Sequence, residues 1–170
     1  MKQGVPRKGD DDAVSICFDQ ASARGSGLPL LFAEGAVPVL YAVAENSYTL
    51  LIGKAYCGLD LDAATGEIMQ ISGCNPMGLW VPCNLDVPPA SRGRVFFQPD
   101  APLVPGTGGD YDRSWDTFYD RNRQTICLGQ RFAGSDCVQI QFAPHLIASI
   151  RDGRLEAIWA KLQIMEKAPG

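Results

Sequence analysis

Apolar and polar positions alternate over short stretches of this chain, which is the period of half-buried β-strands. Residues 56–61 and 67–71 both alternate, and the turn-forming residues 63–66 stand between them. This spacing predicts a β-hairpin. Residues 48–52, an apolar run just before the hairpin, predict a further strand.

The C-terminal third of the chain shows the same pattern. Strands are predicted over residues 125–129, 138–142 and 146–150. An Asp-Gly pair follows at 152–153, and Asp-Gly between two apolar runs is a strong hairpin signal. Residues 155–162 then predict a return strand, although their alanine, glutamate, lysine and leucine also fit a helix. Both alternatives are open at this point.

The N-terminal part and the middle of the chain are less regular. Short strands are predicted over residues 13–18, 28–32 and 37–43, the last at a sheet edge because it contains a proline. Residues 72–109 hold seven prolines and little periodicity, with one predicted strand at 94–98. Irregular stretches of this length are uncommon inside compact domains and are often functional. We expect the rest of this segment to wrap the surface.

Together these elements predict a mainly β fold, an antiparallel twisted sheet or open barrel of hairpins with room for one or two short helices. The chain has 170 residues, enough for one domain with its own core. We expect a flexible polar arm over residues 1–12 and a single β-rich domain over residues 13–170. The 46% hydrophobic and 20% charged residues fit a globular domain rather than a disordered one.

The charge balance narrows the class of partner. The formal net charge is −4, and no Lys/Arg cluster supplies the basic face that nucleic-acid binding needs. No apolar run is long enough to cross a membrane, and the N-terminus lacks the apolar stretch of a signal peptide. We therefore expect a cytoplasmic protein with no nucleic-acid or membrane partner.

The six cysteines lie inside or beside apolar segments at irregular spacing, and no CxxC pair occurs. This argues against a structural zinc site, so neither a metal nor a cofactor is expected. In a reducing compartment a buried cysteine acts as a small hydrophobic side chain, which is the leading interpretation. The alternative is a disulfide framework, with Cys127 and Cys137 across a hairpin as the first pair to examine.

Candidate catalytic residues are scarce. His145 is the sole histidine, so any Ser–His–Asp or Cys–His mechanism would run through it. The chain has no nucleophile elbow and no phosphate-binding glycine loop. A loop histidine explains His145 without catalysis, so no catalytic residue is predicted. An enzyme of unusual type that uses His145 or a cysteine is the third functional alternative.

Carboxylates and aromatic rings mark the candidate binding residues. Asp60 and Asp62 alternate with leucines on the predicted hairpin and would share one outward face. Acids and rings interleave over residues 110–120, a mixture that suits a surface gripping a basic partner. The predicted partner-binding residues of this segment are Asp110, Tyr111, Asp112, Trp115, Asp116, Tyr119 and Asp120. The alternative is that the rings fill the core and the aspartates are merely solvated.

Four stretches of the chain carry a family resemblance. They are FYDRNRQTICLG, DCVQIQFAPHLIASI and DGRLEAIWAK in the C-terminal half and GLDLDAATGEI in the centre. They resemble the strands and hairpins of small bacterial immunity proteins of polymorphic toxin systems, of the contact-dependent or type VI-like kind. The resemblance covers residues 48–71 and 115–162. It implies a protein that binds a cognate toxin domain and blocks its action, and it carries over no catalytic residue.

The resemblance and the composition lead to one expected function. We expect a non-enzymatic cytosolic binding protein, an immunity protein that neutralises a toxin domain by direct binding. Many toxin domains are basic nucleases, so an acidic inhibitor gains association rate by electrostatic steering. The alternative is a small-ligand or carbohydrate-binding β module that uses the same rings for stacking. The oligomeric state is left open.

Overall fold

The computed structural model describes the backbone of residues 15–19, 30–33, 46–132 and 134–165. Side chains are described within residues 46–73, 75–132 and 134–162. The strands are β1 (Ser15–Asp19), β2 (Leu30–Ala33), β3 (Ser47–Ile52), β4 (Tyr56–Asp62), β5 (Ile68–Cys74), β6 (Trp80–Pro82), β7 (Ser91–Arg92), β8 (Arg94–Gln98), β9 (Gly108–Asp112), β10 (Thr117–Asp120), β11 (Thr125–Gly129), β12 (Val138–Ala143), β13 (Leu146–Arg151) and β14 (Arg154–Met165). One 3-10 turn, Met77–Leu79, precedes β6. The predicted mainly β fold is confirmed.

An eight-stranded sheet is the larger unit. Its strands lie in the order β6-β10-β11-β14-β13-β12-β7, and β2 pairs with β14. The pairs β6/β10, β7/β12 and β2/β14 are parallel, and the others are antiparallel. The sheet is therefore mixed, whereas the sequence predicted antiparallel pairing. Each parallel strand comes from a part of the chain distant from its neighbour, which no local pattern reveals.

A four-stranded sheet in the order β5-β4-β3-β9 is the second unit. It contains the predicted β4–β5 hairpin, whose turn ends at Gly66 with φ 73°. A Cβ at this position would lie 2.1 Å from the Phe97 carbonyl oxygen, so only glycine fits. β9 extends the sheet parallel to β3, and β1 pairs with β8 in a separate two-stranded sheet. Within the described ranges neither large sheet closes into a barrel.

The Asp-Gly hairpin forms as predicted and decides the last element of the chain. Asp152 and Gly153 have φ of 50° and 75°, the left-handed conformation that a tight hairpin turn requires. β14 is a strand because β11 and β13 pair with it on both sides. This pairing outweighs the helix propensity of its residues, so the strand alternative is confirmed and the helix alternative is wrong.

The strand order also corrects the suggested Cys127–Cys137 disulfide. β11 and β12 follow each other in sequence, but β14 and β13 lie between them in the sheet. Cys127 and Cys137 are not joined to each other, and each carries a thiol. The suggested pair was wrong because the long β13–β14 hairpin inserts between the two segments.

The Pro-rich segment holds three short strands, β6, β7 and β8, and the predicted strand at 94–98 is β8. The strands predicted at 13–18 and 28–32 overlap β1 and β2, which end one residue later, at Asp19 and Ala33. The predicted arm over residues 1–12 and the predicted strand at 37–43 lie outside the described residues.

Two hydrophobic clusters lie on opposite sides of the eight-stranded sheet. The main core joins residues of the four-stranded sheet, such as Leu59, to residues of the eight-stranded sheet, such as Ile158. A smaller cluster lies on the other side of the eight-stranded sheet, where Leu85 packs with Cys127 and Trp159. We call the side that faces the main core the inner face and the opposite side the outer face.

Candidate functional site

Strand alternation divides the predicted contact segment, residues 110–120, between the two faces. Trp115 and Tyr119 are each 8% exposed and belong to the main core. Asp116 and Phe118 alternate with them and are half-buried. This placement corrects the prediction that Trp115 and Tyr119 contact a partner, because their rings fill the core. It agrees with the alternative prediction that the rings of this segment are core residues.

Tyr111 links the two sheets through its hydroxyl group. The Tyr111 hydroxyl accepts a hydrogen bond from the Leu155 N–H at 2.8 Å and donates to the Leu155 carbonyl at 3.2 Å. Its ring packs edge-on against Trp115, with ring centroids 5.8 Å apart. Burial is the main cause that raises the pKa of Tyr111 to about 12. Tyr111 is thus a structural connection between β9 and β14, and its hydroxyl hydrogen is already donated within the fold.

Asp120 is buried as well, and its carboxylate fixes the segment that follows β6. It accepts hydrogen bonds from the Leu85 N–H at 2.9 Å and the Arg123 N–H at 3.0 Å. The Arg123 guanidinium in turn donates to the Leu85 carbonyl. The backbone hydrogen bond from Leu85, followed by that from Arg123, lowers the pKa of Asp120. Asp120 therefore holds Leu85 over the outer-face cluster rather than contacting a partner, which corrects its predicted role.

We expect Asp120→Asn to make the melting temperature less sensitive to acid. Because the hydrogen bonds favour the charged carboxylate, the folded pKa lies below the unfolded value of about 3.9. The stabilisation is present above the unfolded pKa and is lost as pH falls through the folded pKa. Melting temperatures measured from neutral to acidic pH should show the gap between wild type and variant closing below about pH 4.

The control for this measurement is Asp100→Asn, since Asp100 is exposed in the loop after β8. The control should follow the wild type at every pH. A gap between wild type and Asp120→Asn that does not change with pH would contradict the assigned role of the Asp120 carboxylate.

Asp60 is enclosed by polar side chains from the neighbouring strands. Its Oδ1 accepts hydrogen bonds from Thr49 Oγ1 at 2.7 Å and Ser72 Oγ at 2.8 Å, and its Oδ2 accepts one from Gln70 Nε2 at 2.9 Å. Only 2% of Asp60 is exposed. Its predicted outward position is therefore corrected, because β3 and β5 cover it from both sides. Asp62 is half-buried and accepts hydrogen bonds from backbone N–H groups of the hairpin turn.

The remaining predicted aspartates are at least partly exposed. The Asp110 side chain is 68% exposed, and its ion pair with Arg113 is long, at 3.9 Å. Asp112 is half-buried and accepts hydrogen bonds within its own turn. Asp116 forms an exposed ion pair with Lys54 at 2.5 Å, which offsets its charge. Asp110 and Asp112 both belong to β9, and we call this strand, with its two carboxylates, the acidic edge.

The backbone of the acidic edge has an open side. The Thr49 N–H donates to the Thr107 carbonyl at 3.1 Å, and Thr49 pairs with Gly108 while Leu51 pairs with Asp110. In a parallel ladder with this bonding, both peptide groups of Gly108 and the N–H of Asp110 turn away from β3, and the register shifts just after Asp110. β9 is the last strand on this side of the four-stranded sheet within the described chain, and both residues are exposed. Such an edge is a template for a further strand.

A second surface, which the sequence reading missed, lies on the outer face beside β6. Val81 pairs directly with Phe118, and Val81 is 42% exposed. The guanidinium carbon of Arg131 lies 5.2 Å from the centroid of the Phe118 ring and 4.5 Å from that of the Phe132 ring. Phe132 is 77% exposed. We call Val81, Phe118, Arg131 and Phe132 the aromatic patch.

One sequence signal could have indicated part of this surface. Read as a strand, residues 115–119 alternate Trp, Asp, Thr, Phe and Tyr, so Trp115 and Tyr119 share one face and Phe118 takes the other. The position of Phe132 beside Phe118 depends on the β10–β11 pairing and had no local signal.

The groups considered for catalysis are the cysteines and His145. Burial raises the pKa of the Cys127 thiol and, less strongly, that of Cys137, which disfavours a reactive thiolate. His145 is exposed in the β12–β13 turn. Among the described side chains no group of three or more His, Cys, Asp and Glu residues is placed to hold a metal ion. None of the described segments forms a helix long and apolar enough to cross a membrane.

Comparison with known proteins gives no relative: no protein-family model matches the chain, and no curated protein or solved structure matches it significantly. The function is therefore argued from the surfaces described above and from the resemblance in sequence.

Proposed function

We propose that this chain is a non-enzymatic cytoplasmic immunity protein that neutralises a cognate toxin domain by binding an extended segment of it along the acidic edge. The immunity role comes from the sequence resemblance, and the open side of β9 supplies the means of binding. On that side, outward peptide groups of Gly108 and Asp110 occur together with an exposed carboxylate. This combination is the observation that carries the proposal.

Strand addition explains how a short edge binds a partner. Main-chain hydrogen bonds to the edge provide affinity, and side-chain contacts provide selectivity. A stable protein–protein interface buries roughly 800 Å² on each partner, so surfaces beside the five residues of β9 must also take part. The carboxylates favour a basic segment, because opposite charge speeds association.

The small-ligand or carbohydrate-binding alternative used the rings of residues 110–120 for stacking, which are Tyr111, Trp115, Phe118 and Tyr119. Trp115 and Tyr119 lie in the main core and Tyr111 packs against it, so only Phe118 is left on the outer face and these rings form no shared platform. No other observation favours this alternative, and we do not propose it.

Two substitutions of the same residue test strand addition. Asp110→Ala and Asp110→Pro both remove the carboxylate, but only proline removes the outward N–H. We expect Asp110→Ala to raise the Kd for the toxin domain about threefold through the lost charge, and Asp110→Pro to raise it about tenfold further through the lost hydrogen bond. The partner is the toxin-like domain encoded beside this gene, and the Kd is measured by titration after co-elution in size-exclusion chromatography.

Melting temperatures of both variants show whether β9 still pairs with β3. We expect them to stay close to that of the wild type, because the Asp110 N–H does not take part in that pairing. Equal Kd values for the two variants would refute strand addition while leaving side-chain binding. If the wild-type chain and the toxin domain elute separately and the growth defect persists on co-expression, the immunity function itself is wrong.

A further inference from the structure

We infer that the aromatic patch is a second protein-docking surface, and that it binds a segment presenting a carboxylate beside an apolar side chain. This inference is independent of the acidic edge, because the patch lies on the eight-stranded sheet and carries the opposite charge. It would stand if the proposal for β9 failed.

The fold builds the patch on a rigid base. Phe118 lies between Val81 on β6 and Cys127 on β11, and its ring packs against the outer-face cluster around Trp159. β6 is the terminal strand of its sheet in the described chain, so Val81 lies at an edge. The backbone leaving β11 is held where the Gln130 N–H donates to the Glu156 carbonyl at 2.9 Å. The residues that follow thus start from a fixed point.

Arg131 is held in a different way from the other fixed arginines. Arg94, Arg123 and Arg151 each have a carboxylate within 3.0 Å. None of the ion pairs within the described residues includes Arg131, whose guanidinium lies against the Phe118 and Phe132 rings instead. Aromatic rings offer the guanidinium no oxygen acceptor, so this contact leaves its N–H groups available to a carboxylate.

This chemistry identifies the kind of partner. A guanidinium rim binds carboxylates in a two-pronged geometry, and the adjoining rings shield the pair from water. The exposed ring of Phe132 and the side chain of Val81 offer apolar contact next to the charge, and aromatic and arginine side chains dominate binding energy at interfaces. The chain as a whole carries a net charge of −4, so a polyanion such as nucleic acid is repelled elsewhere on the surface. A protein segment with a single acid among apolar residues fits better.

Peptide selection on the full chain tests the inference directly. Random 12-residue peptides displayed on phage are panned on the immobilised full chain, and enriched peptides are synthesised for Kd measurement by fluorescence polarisation. We expect enriched peptides to contain Asp or Glu next to an apolar residue. Arg131→Gln should raise their Kd at least tenfold, and Phe132→Ser should do the same. Arg131→Lys should rescue only part of the loss, because lysine keeps the charge but lacks the planar fork.

A paired substitution assigns the contact. Changing the peptide acid to its amide should weaken binding to the wild type but not weaken it further in Arg131→Gln. The matched control is Tyr56→Ser, since Tyr56 is 76% exposed on the other sheet and should leave the Kd unchanged.

Several results would overturn the inference. The first is that the enriched peptides contain no acid, and the second is that Arg131→Gln leaves their Kd unchanged. The third is that the chain binds a single-stranded oligonucleotide and no peptide. The fourth is that the chain self-associates in sedimentation and that Phe132→Ser abolishes this self-association. The last result would assign the patch to a contact between two copies of the chain.

Discussion

Replacing Trp115 with alanine is expected to lower the free energy of unfolding by about 3–5 kcal/mol, as is usual when a large buried aromatic side chain is truncated. Trp115 is 8% exposed, packs against the Tyr111 ring and lies over Gly129. At about 2–4 °C per kcal/mol for a domain of this size, the loss should lower the melting temperature by about 6–20 °C. Thermal or urea unfolding followed by circular dichroism measures it.

The same experiment decides between the two sequence interpretations of this ring. The control is Tyr56→Ala, an exposed aromatic residue whose removal should change stability by less than about 0.5 kcal/mol. If Trp115→Ala melted close to the wild-type temperature, the Trp115 ring would be exposed at the surface. That result would contradict its assignment to the inner face.

Replacing Arg94 with methionine is expected to cost about 3–5 kcal/mol, because it leaves the buried Glu67 carboxylate without its partner. The Arg94 Nε donates to Glu67 Oε1 at 2.7 Å, and a second nitrogen of the same guanidinium contacts Glu67 Oε2. The two side chains are 19% and 6% exposed. The pair connects β8 to the end of the β4–β5 hairpin, where the Phe96 ring also lies 4.8 Å from the guanidinium.

Two further variants separate burial of the charge from simple loss of an ion pair. Glu67→Gln combined with Arg94→Met should be more stable than Arg94→Met alone, because no charge is then left buried. Lys54→Met removes the exposed Lys54–Asp116 pair and should cost no more than about 1 kcal/mol. If Arg94→Met and Lys54→Met cost the same in urea unfolding, the Glu67 carboxylate is not buried as described.

The candidate site shows where sequence reasoning reaches its limit. The acidic and aromatic composition of residues 110–120 was visible, but composition does not say which side chains point inward. The Tyr111 hydroxyl accepts a hydrogen bond from the Leu155 N–H, and the Asp120 carboxylate accepts one from the Leu85 N–H. Both partners are distant in sequence. Asp60 is enclosed because Thr49, Gln70 and Ser72 come from the strands on either side. These contacts exist only after the strands have paired.

The aromatic patch is a surface that no local sequence pattern indicated. Phe118 and Phe132 are 14 residues apart in the sequence. No sequence motif in this stretch indicates that both rings contact the Arg131 guanidinium. The β10–β11 pairing brings them together, while the pairing with β6 adds Val81. A sequence pattern describes one strand at a time, so it cannot place a surface built from β6, β10 and the residues that follow β11.

Local chemistry was sufficient for the elements themselves. The alternation of residues 56–71 determined the β4–β5 hairpin, and Asp152 with Gly153 determined the β13–β14 turn, because period and turn geometry depend on adjacent residues only. The tertiary structure alone decided which strands are neighbours. It placed β14 between β11 and β13, which made residues 155–162 a strand and separated Cys127 from Cys137. It also decided that the Trp115 ring lies in the main core. The physical reason is that strand pairing depends on hydrogen bonds and packing between segments that are distant in sequence. The same distant segments decide which face of a strand is covered, and so which of its apolar side chains are buried.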